Sequence, residues 1–201
     1  MAGILTRTKL LAVEGTDEII FFEELFKHIG MLDKVELREV GGKDQFKIKM
    51  PALQKTTGFN NLESIAIIRD ADENFKGAFE SIKKILEKMN LRVPTRPGTF
   101  ADGIPKVGIF IMPDNSSKGM LENLCLDTVK DDKVMECVDQ LIDCAKKLKK
   151  QPKNAAKTKA QAYLSLMPEI ANSVGRGAQK GYWNFDSSEL IPLIHFINQL
   201  K

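Results

Sequence analysis

The chain has 201 residues, 43% of them hydrophobic and 28% charged, a balance that excludes disorder as the dominant state. The formal net charge of +3 is too small to imply a nucleic-acid partner, so local clustering must carry any such argument. The longest apolar runs, such as Val107–Met112, fall far short of the roughly 18 residues needed to cross a bilayer. No secretory apolar region precedes the first strand-like segment, so a cytoplasmic protein with no membrane segment is expected.

The first half alternates strands and helices, the pattern of a parallel or mixed sheet with helices packed on it. Lys9–Val13 is a short apolar run stopped by Glu14-Gly15, after which Thr16 caps a predicted helix with Ile19, Phe22, Phe26 and Ile29 at helical spacing. Val35–Val40 reads as a second strand ending at Gly41-Gly42-Lys43-Asp44, and Phe46 to about Thr57 as a helix despite Pro51. Ser64–Ile68 is a continuous β-branched run, as in a strand buried on both faces, and it stops at Arg69-Asp70-Ala71-Asp72. Asn74–Met89 is amphipathic, Leu91–Pro105 reads as an irregular loop, Lys106–Met112 as a fourth strand, Pro113–Gly119 as a turn and Met120–Thr128 as a short helix.

Beyond this point the pattern is helix only. Val134, Val138, Leu141, Ala145 and Leu148 stripe one helix, Ala155–Leu166 forms another, and Leu190–Leu200 a last one with Asp186 as cap and Glu189 three residues on. The three cysteines, Cys125, Cys137 and Cys144, lack zinc or disulfide spacing and read as small buried hydrophobes. Tyr182-Trp183-Asn184-Phe185 reads as packing for the final helix, with base stacking or a partner interface as the alternative.

Each apolar strand of the first half except the second ends in an acid: Glu14, then Asp70 and Asp72, then Asp114. In an open α/β sheet, ligands bind beyond the carboxyl ends of the strands. Residues two apart in an extended segment share a face, so Asp70 and Asp72 would converge, and close carboxylates with hard oxygen ligands suit Mg²⁺ or Mn²⁺. The competing reading is that such acids cap helices or form turns, and for Asp72 the cap of the helix near Asn74 is the specific alternative. Glu14 resists it, because glutamate is a poor cap.

Val13-Glu14-Gly15-Thr16-Asp17 followed by Ile67-Ile68-Arg69-Asp70-Ala71-Asp72 resembles the Toprim domain of primases, topoisomerases, recombination proteins and overcoming-lysogenization-defect nucleases, over roughly residues 7 to 128. The resemblance implies that Glu14 takes part in acid/base chemistry and metal binding and that Asp70 and Asp72 hold Mg²⁺. Met112–Glu122 is similar to a later segment of small Toprim-related proteins, which makes Glu122 the candidate ligand of a second ion, with Asp114 and Lys118 as weaker candidates, because a polar turn after a strand needs no chemistry to explain it. Lys43, after the glycine pair, is a candidate phosphate contact, or part of a plain glycine turn. The chain lacks a phosphate-loop motif, so any ATPase would be a separate polypeptide.

Seven lysines lie between Lys146 and Lys159, and among them Lys146, Lys150, Lys153 and Lys157 are candidate nucleic-acid contacts, against the alternative of a solvated helix face. The expectation is therefore an α/β fold, a Toprim-like, mostly parallel sheet of about four strands over residues 7–128, with an α-helical extension over 129–201. The expected function is Mg²⁺-dependent phosphodiester cleavage of DNA or RNA, with Glu14, Lys43 and Lys118 as catalytic candidates. The alternative is a non-catalytic binding or regulatory module on the same scaffold.

Overall fold

The computed structural model describes residues 4–42, 44–149 and 152–200. The predicted alternation gives β1 (Lys9–Val13), α1 (Thr16–His28), β2 (Glu36–Glu39), α2 (Phe46–Gln54), β3 (Ser64–Asp70), α3 (Phe75–Lys88), β4 (Thr99–Ala101), β5 (Lys106–Met112) and α4 (Leu121–Thr128). Helices α5 (Val134–Lys147), α6 (Ala155–Ser165), α7 (Val174–Gln179) and α8 (Ile191–Ile197) follow. The sheet has five strands in the order β2-β1-β3-β5-β4, all parallel except β4, which runs antiparallel to β5 at the edge. The fold is thus mixed α/β, a largely parallel sheet flanked by helices with further helices at the C-terminal end.

Strand β3 sits in the middle, paired to β1 and β5, and its β-branched run is buried to Arg69. Its alternation divides the interior into two cores. Ala66 and Ile68 join Leu11, Val13, Phe110 and Met112 beneath α1, α4 and the C-terminal helices. Ile65 and Ile67 join Leu10, Ala12, Ile109 and Ile111 beneath α2 and α3. Each fully buried side chain of this size contributes about 1.5–3 kcal/mol before entropy is subtracted.

Two elements lie outside the sequence expectation. β4 falls within the stretch read as an irregular loop; Phe100 anchors it, its ring covering Gly108 and lying 4.8 Å from that of Phe196. α7 is a short glycine-containing turn with no periodic signal, and it packs on α1. A Cβ at Gly175 would come within 2.8 Å of the Asp17 carbonyl, so glycine is what lets α7 approach that closely.

Several local expectations are corrected. Gly15, not Thr16, occupies the cap position of α1, and the Thr16 hydroxyl donates instead to Glu39 at 3.0 Å. The predicted final helix begins with a 3₁₀ turn capped by Ser187, not Asp186. Only Cys125 is buried; Cys137 and Cys144 are exposed. Trp183 is buried, stacks on Tyr163 at 5.4 Å and donates to the Val174 carbonyl at 2.8 Å, while Phe185 meets Phe21 edge-on, so this aromatic cluster packs the C-terminal part onto α1. Among the described residues no helix is long and apolar enough to cross a membrane.

Candidate acidic cleft at the carboxyl edge of the sheet

The carboxyl ends of β1, β3 and β5 deliver the predicted acids to one edge, but the alternation of β3 sorts them onto opposite faces. Arg69, in step with Ile65 and Ile67, turns toward α2, where its guanidinium carbon lies 5.9 Å from the Phe46 ring centroid. There its Nε donates to Glu14 Oε1 at 3.1 Å, with side-chain exposures of 3% for Arg69 and 15% for Glu14. Arg69 Nη1 is buried without a hydrogen-bond partner. Burial raises the Glu14 carboxyl above the ordinary range; Arg69 opposes this, while Asp72 and Glu18 add to it.

Asp70, in step with Ala66 and Ile68, belongs to the other face. Its Oδ1 accepts from the backbone N–H of Leu121 at 3.0 Å, at the first turn of α4. It shares a cavity of about 340 Å³ with Asp17, Glu18, Glu122 and Lys157, walled by Leu121 and Val174. Asp17 reaches the cleft from the first turn of α1 and accepts from the Ser173 hydroxyl at 2.5 Å. Burial first, then the charges of Glu18, Glu14 and Glu122, push the Asp70 carboxyl well above the carboxylate range, with the Leu121 N–H opposing. Glu18 is raised as well, by burial and then, against its own backbone N–H, by Asp17 and Glu122. The positive neighbour is Lys157, whose Nζ lies 3.7 Å from Glu122 Oε1.

The predicted pairing of Asp70 with Asp72 is not formed. The backbone leaves the extended conformation: Asp72 takes φ 51° and makes a reciprocal bridge with Gly119, each N–H donating to the other's carbonyl at 2.9 Å. Asp72 instead lines a second cavity of about 570 Å³, beside Arg69 and the first turns of α3. Nor is Asp72 the cap of α3; Asn74 is, accepting from Gly77 N–H at 2.9 Å.

The remaining candidates among the described residues fall outside the cleft. Asp114 builds the turn after β5, accepting at Oδ1 from Ser116 N–H at 2.8 Å and Ser117 N–H at 2.7 Å. Burial is the largest single influence and raises its carboxyl, but the hydrogen bonds from Ser117 and Ser116 together outweigh it and hold the group below the ordinary value. Lys118 pairs with Glu73 at 3.1 Å, both exposed. Of the basic run, Lys146 pairs with Asp143 and Lys153 is exposed on the surface. Lys43 and Lys150 lie outside the described residues. A larger cavity of about 1090 Å³, between the end of α4 and the Tyr182–Ser188 loop, holds none of the predicted site residues.

Asp17 and Glu18 are cleft residues to which the sequence pattern assigns no site role. Their signal is their place in the first turn of α1, just after Glu14 and at the carboxyl edge of the sheet. Arg69 was likewise unassigned, although a charged residue inside a buried strand run calls for a partner. Among the described residues, no group of three or more His, Cys, Asp or Glu side chains is arranged to hold a metal ion. The trio Glu14, Asp70 and Asp72 does not fit one, because Glu14 is committed to Arg69 and Asp72 is turned away from Asp70. Asp70, Glu18 and Glu122 line one cavity together with Asp17, and carboxylate oxygens are the donors a hard divalent cation takes, although these side chains are not arranged around one ion position.

No curated protein and no solved structure matches the chain. A family model matches residues 8–201, nearly the whole length. The chain belongs to the family described as protein of unknown function (DUF3226).

Proposed function

We propose that the chain is a Toprim-type, divalent-cation-dependent enzyme that cleaves phosphodiester bonds of DNA or RNA at the cleft between β3, α1 and α4. One observation carries this reading: Asp70, Glu18 and Glu122 face a common cavity in which burial and mutual repulsion raise the first two, so the cleft is short of positive charge. These three residues would hold Mg²⁺ or Mn²⁺. Such an ion supplies charge neutralisation at the phosphoryl oxygens and a lowered pKa for a bound water.

The protein's own groups support the rest. Lys157, at the rim beside Glu122, is placed to meet a substrate phosphate. Glu14 gives Oε1 to Arg69, and its other oxygen lies near Gly42; it stands outside the cleft and acts on it through its charge, which helps to raise Asp70.

A second reading, a binding module without turnover, is favoured by the closed Glu14–Arg69 pair. Labelled single- and double-stranded DNA and RNA, incubated with Mg²⁺, Mn²⁺ or EDTA, separate the two. Metal-dependent cleavage that disappears in Asp70→Ala and Glu18→Gln supports the enzyme. Binding that survives both EDTA and the substitutions, without product, supports the module.

A further inference from the structure

We infer that the crevice between the end of β3 and the first turns of α3 binds a small zwitterion of the α-amino acid class. This is the cavity of about 570 Å³ that Asp72 lines, within the range of about 300–1,000 Å³ that small-molecule sites span. Arg69 lines it too, with 2% of its surface exposed. Its Nε donates to Glu14 at 3.1 Å, while Nη1 is buried without an acceptor. An unpaired donor on a buried charge is costly, and a ligand that brings an acceptor removes that cost. The start of α3 adds donors at the same place. Asn74 caps this 14-residue helix by accepting from the Gly77 N–H at 2.9 Å, which leaves the N–H groups of Phe75 and Lys76 without intrahelical acceptors. Asn74 and Gly77 both line the cavity, so the positive end of the helix opens on it.

The same cavity is short of a cation. Glu73 and Asp72 line it as well. Glu73 pairs with Lys118 at 3.1 Å, whereas Asp72 belongs to no ion pair among the described residues. Its charge reaches Glu14, whose carboxyl it helps to raise, so one guanidinium stands against two carboxylates. A bare anion would meet Arg69 and α3 but be repelled by Asp72. A bare cation would meet Asp72 and leave Nη1 unpaired. A carboxylate and an ammonium on one carbon answer both, the first toward Arg69 and the helix start, the second toward Asp72. Asp72 is held in place by its backbone, at φ 51° with the reciprocal bridge to Gly119. Ala71, Gly77, Ala78 and Ser81 keep the wall small, which leaves room for the ligand's own side chain.

The inference uses neither the cleft acids nor a metal ion, so it stands or falls apart from the proposed function. The twenty common L-amino acids are added singly to the full chain at about 10 mM, tenfold above a millimolar dissociation constant. At least one should raise the melting temperature by about 2 °C or more, and calorimetric titration with it should give one site per chain. Acetate, inorganic phosphate and ethylammonium, each carrying one charge sign alone, should not reproduce the shift. Asp72→Asn keeps a residue that tolerates positive φ and removes the carboxylate, and Ser81→Trp fills the cavity from an exposed position. Each should weaken binding by about tenfold or more, the loss expected of a broken charged contact or a blocked site. No shift with any amino acid, or a shift that either folded variant keeps, overturns the site. Acetate or phosphate matching the best amino acid overturns the zwitterion. Because the wild-type titrations need no substitution, the inference stays falsifiable even if a variant misfolds.

Discussion

The two faces of the sheet's carboxyl edge solve the same electrostatic problem in opposite ways. On the α2 side, one half-buried carboxylate, Glu14, is answered by one buried guanidinium, Arg69, over an aromatic ring. On the α1 and α4 side, Asp70, Glu18 and Glu122 face one cavity with a single lysine at the rim. The first arrangement is a closed pair that holds the edge together, and the second is open, with charge left for a ligand to neutralise. One step along β3, from Arg69 to Asp70, separates them.

Breaking the closed side should cost the most. Arg69→Ala leaves Glu14 half-buried without its partner, and removing one member of a buried pair costs about 3–5 kcal/mol. Urea or thermal unfolding should show that loss, and the double variant Arg69→Met/Glu14→Gln should recover most of it, because the uncompensated charge is gone. If Arg69→Ala were near neutral, the pair would not be what stabilises this face.

The open side should respond with the opposite sign. Asp70→Asn keeps an oxygen for the Leu121 N–H and removes a charge that burial and three acids disfavour, so it should stabilise the protein at pH 7 by about 1 kcal/mol. The carboxyl of Asp70 is raised in the folded state, so the native state binds the proton more tightly than the unfolded chain does. Wild-type stability from this group therefore falls as pH rises from the ordinary carboxylate range through the raised folded value. The advantage of Asp70→Asn should vanish below that window and be complete above it, as read from melting temperatures across pH. Mg²⁺ or Mn²⁺ should raise the wild-type melting temperature and leave that of Asp70→Asn unmoved.

Much of this fold was legible because its strands are apolar runs punctuated by Gly and acid, and β3 between Ser64 and Asp70 is the plainest case. β4 and α7 were not, since a three-residue edge strand and a six-residue glycine-containing turn carry no periodicity. The site was legible in its position and not in its pairing. Glu14 and Asp70 do reach one edge of the sheet, but treating 70–72 as extended assumed a strand geometry that the left-handed Asp72 breaks. That turn depends on the bridge to Gly119, a contact across 47 residues that no local pattern announces. The stripe of α5 misled in a similar way: Val138 faces the core while Leu141 and Leu148 do not, because the apolar arc is wider than the face the core uses.

Asp114 tests whether an acid at a strand end belongs to the turn or to the cleft. Its hydrogen bonds to Ser116 and Ser117 lie near the surface, so Asp114→Ala should cost about 0.5–1 kcal/mol. Its carboxyl is depressed in the folded state, so this contribution is present above the ordinary carboxylate range and fades as pH falls through the lowered value. Any metal-dependent cleavage should survive the substitution; its loss would return Asp114 to the site.

Lys157→Ala should have the smallest effect on stability and the most selective effect on binding. Its pair with Glu122 is long at 3.7 Å and the lysine is largely exposed, so unfolding should shift by less than about 0.5 kcal/mol. If Lys157 meets a phosphate at the rim of the cleft, removing it should weaken nucleic-acid binding uniformly across sequences and reduce the slope of log affinity against log salt by about one. The same substitution leaves Glu122 without its cation, which should strengthen divalent-ion binding in the cleft while weakening the polyanion. Titrations with Mn²⁺ and with a labelled oligonucleotide should therefore move in opposite directions; a parallel loss in both would mean that Lys157 holds the cleft in shape and does not meet its ligand.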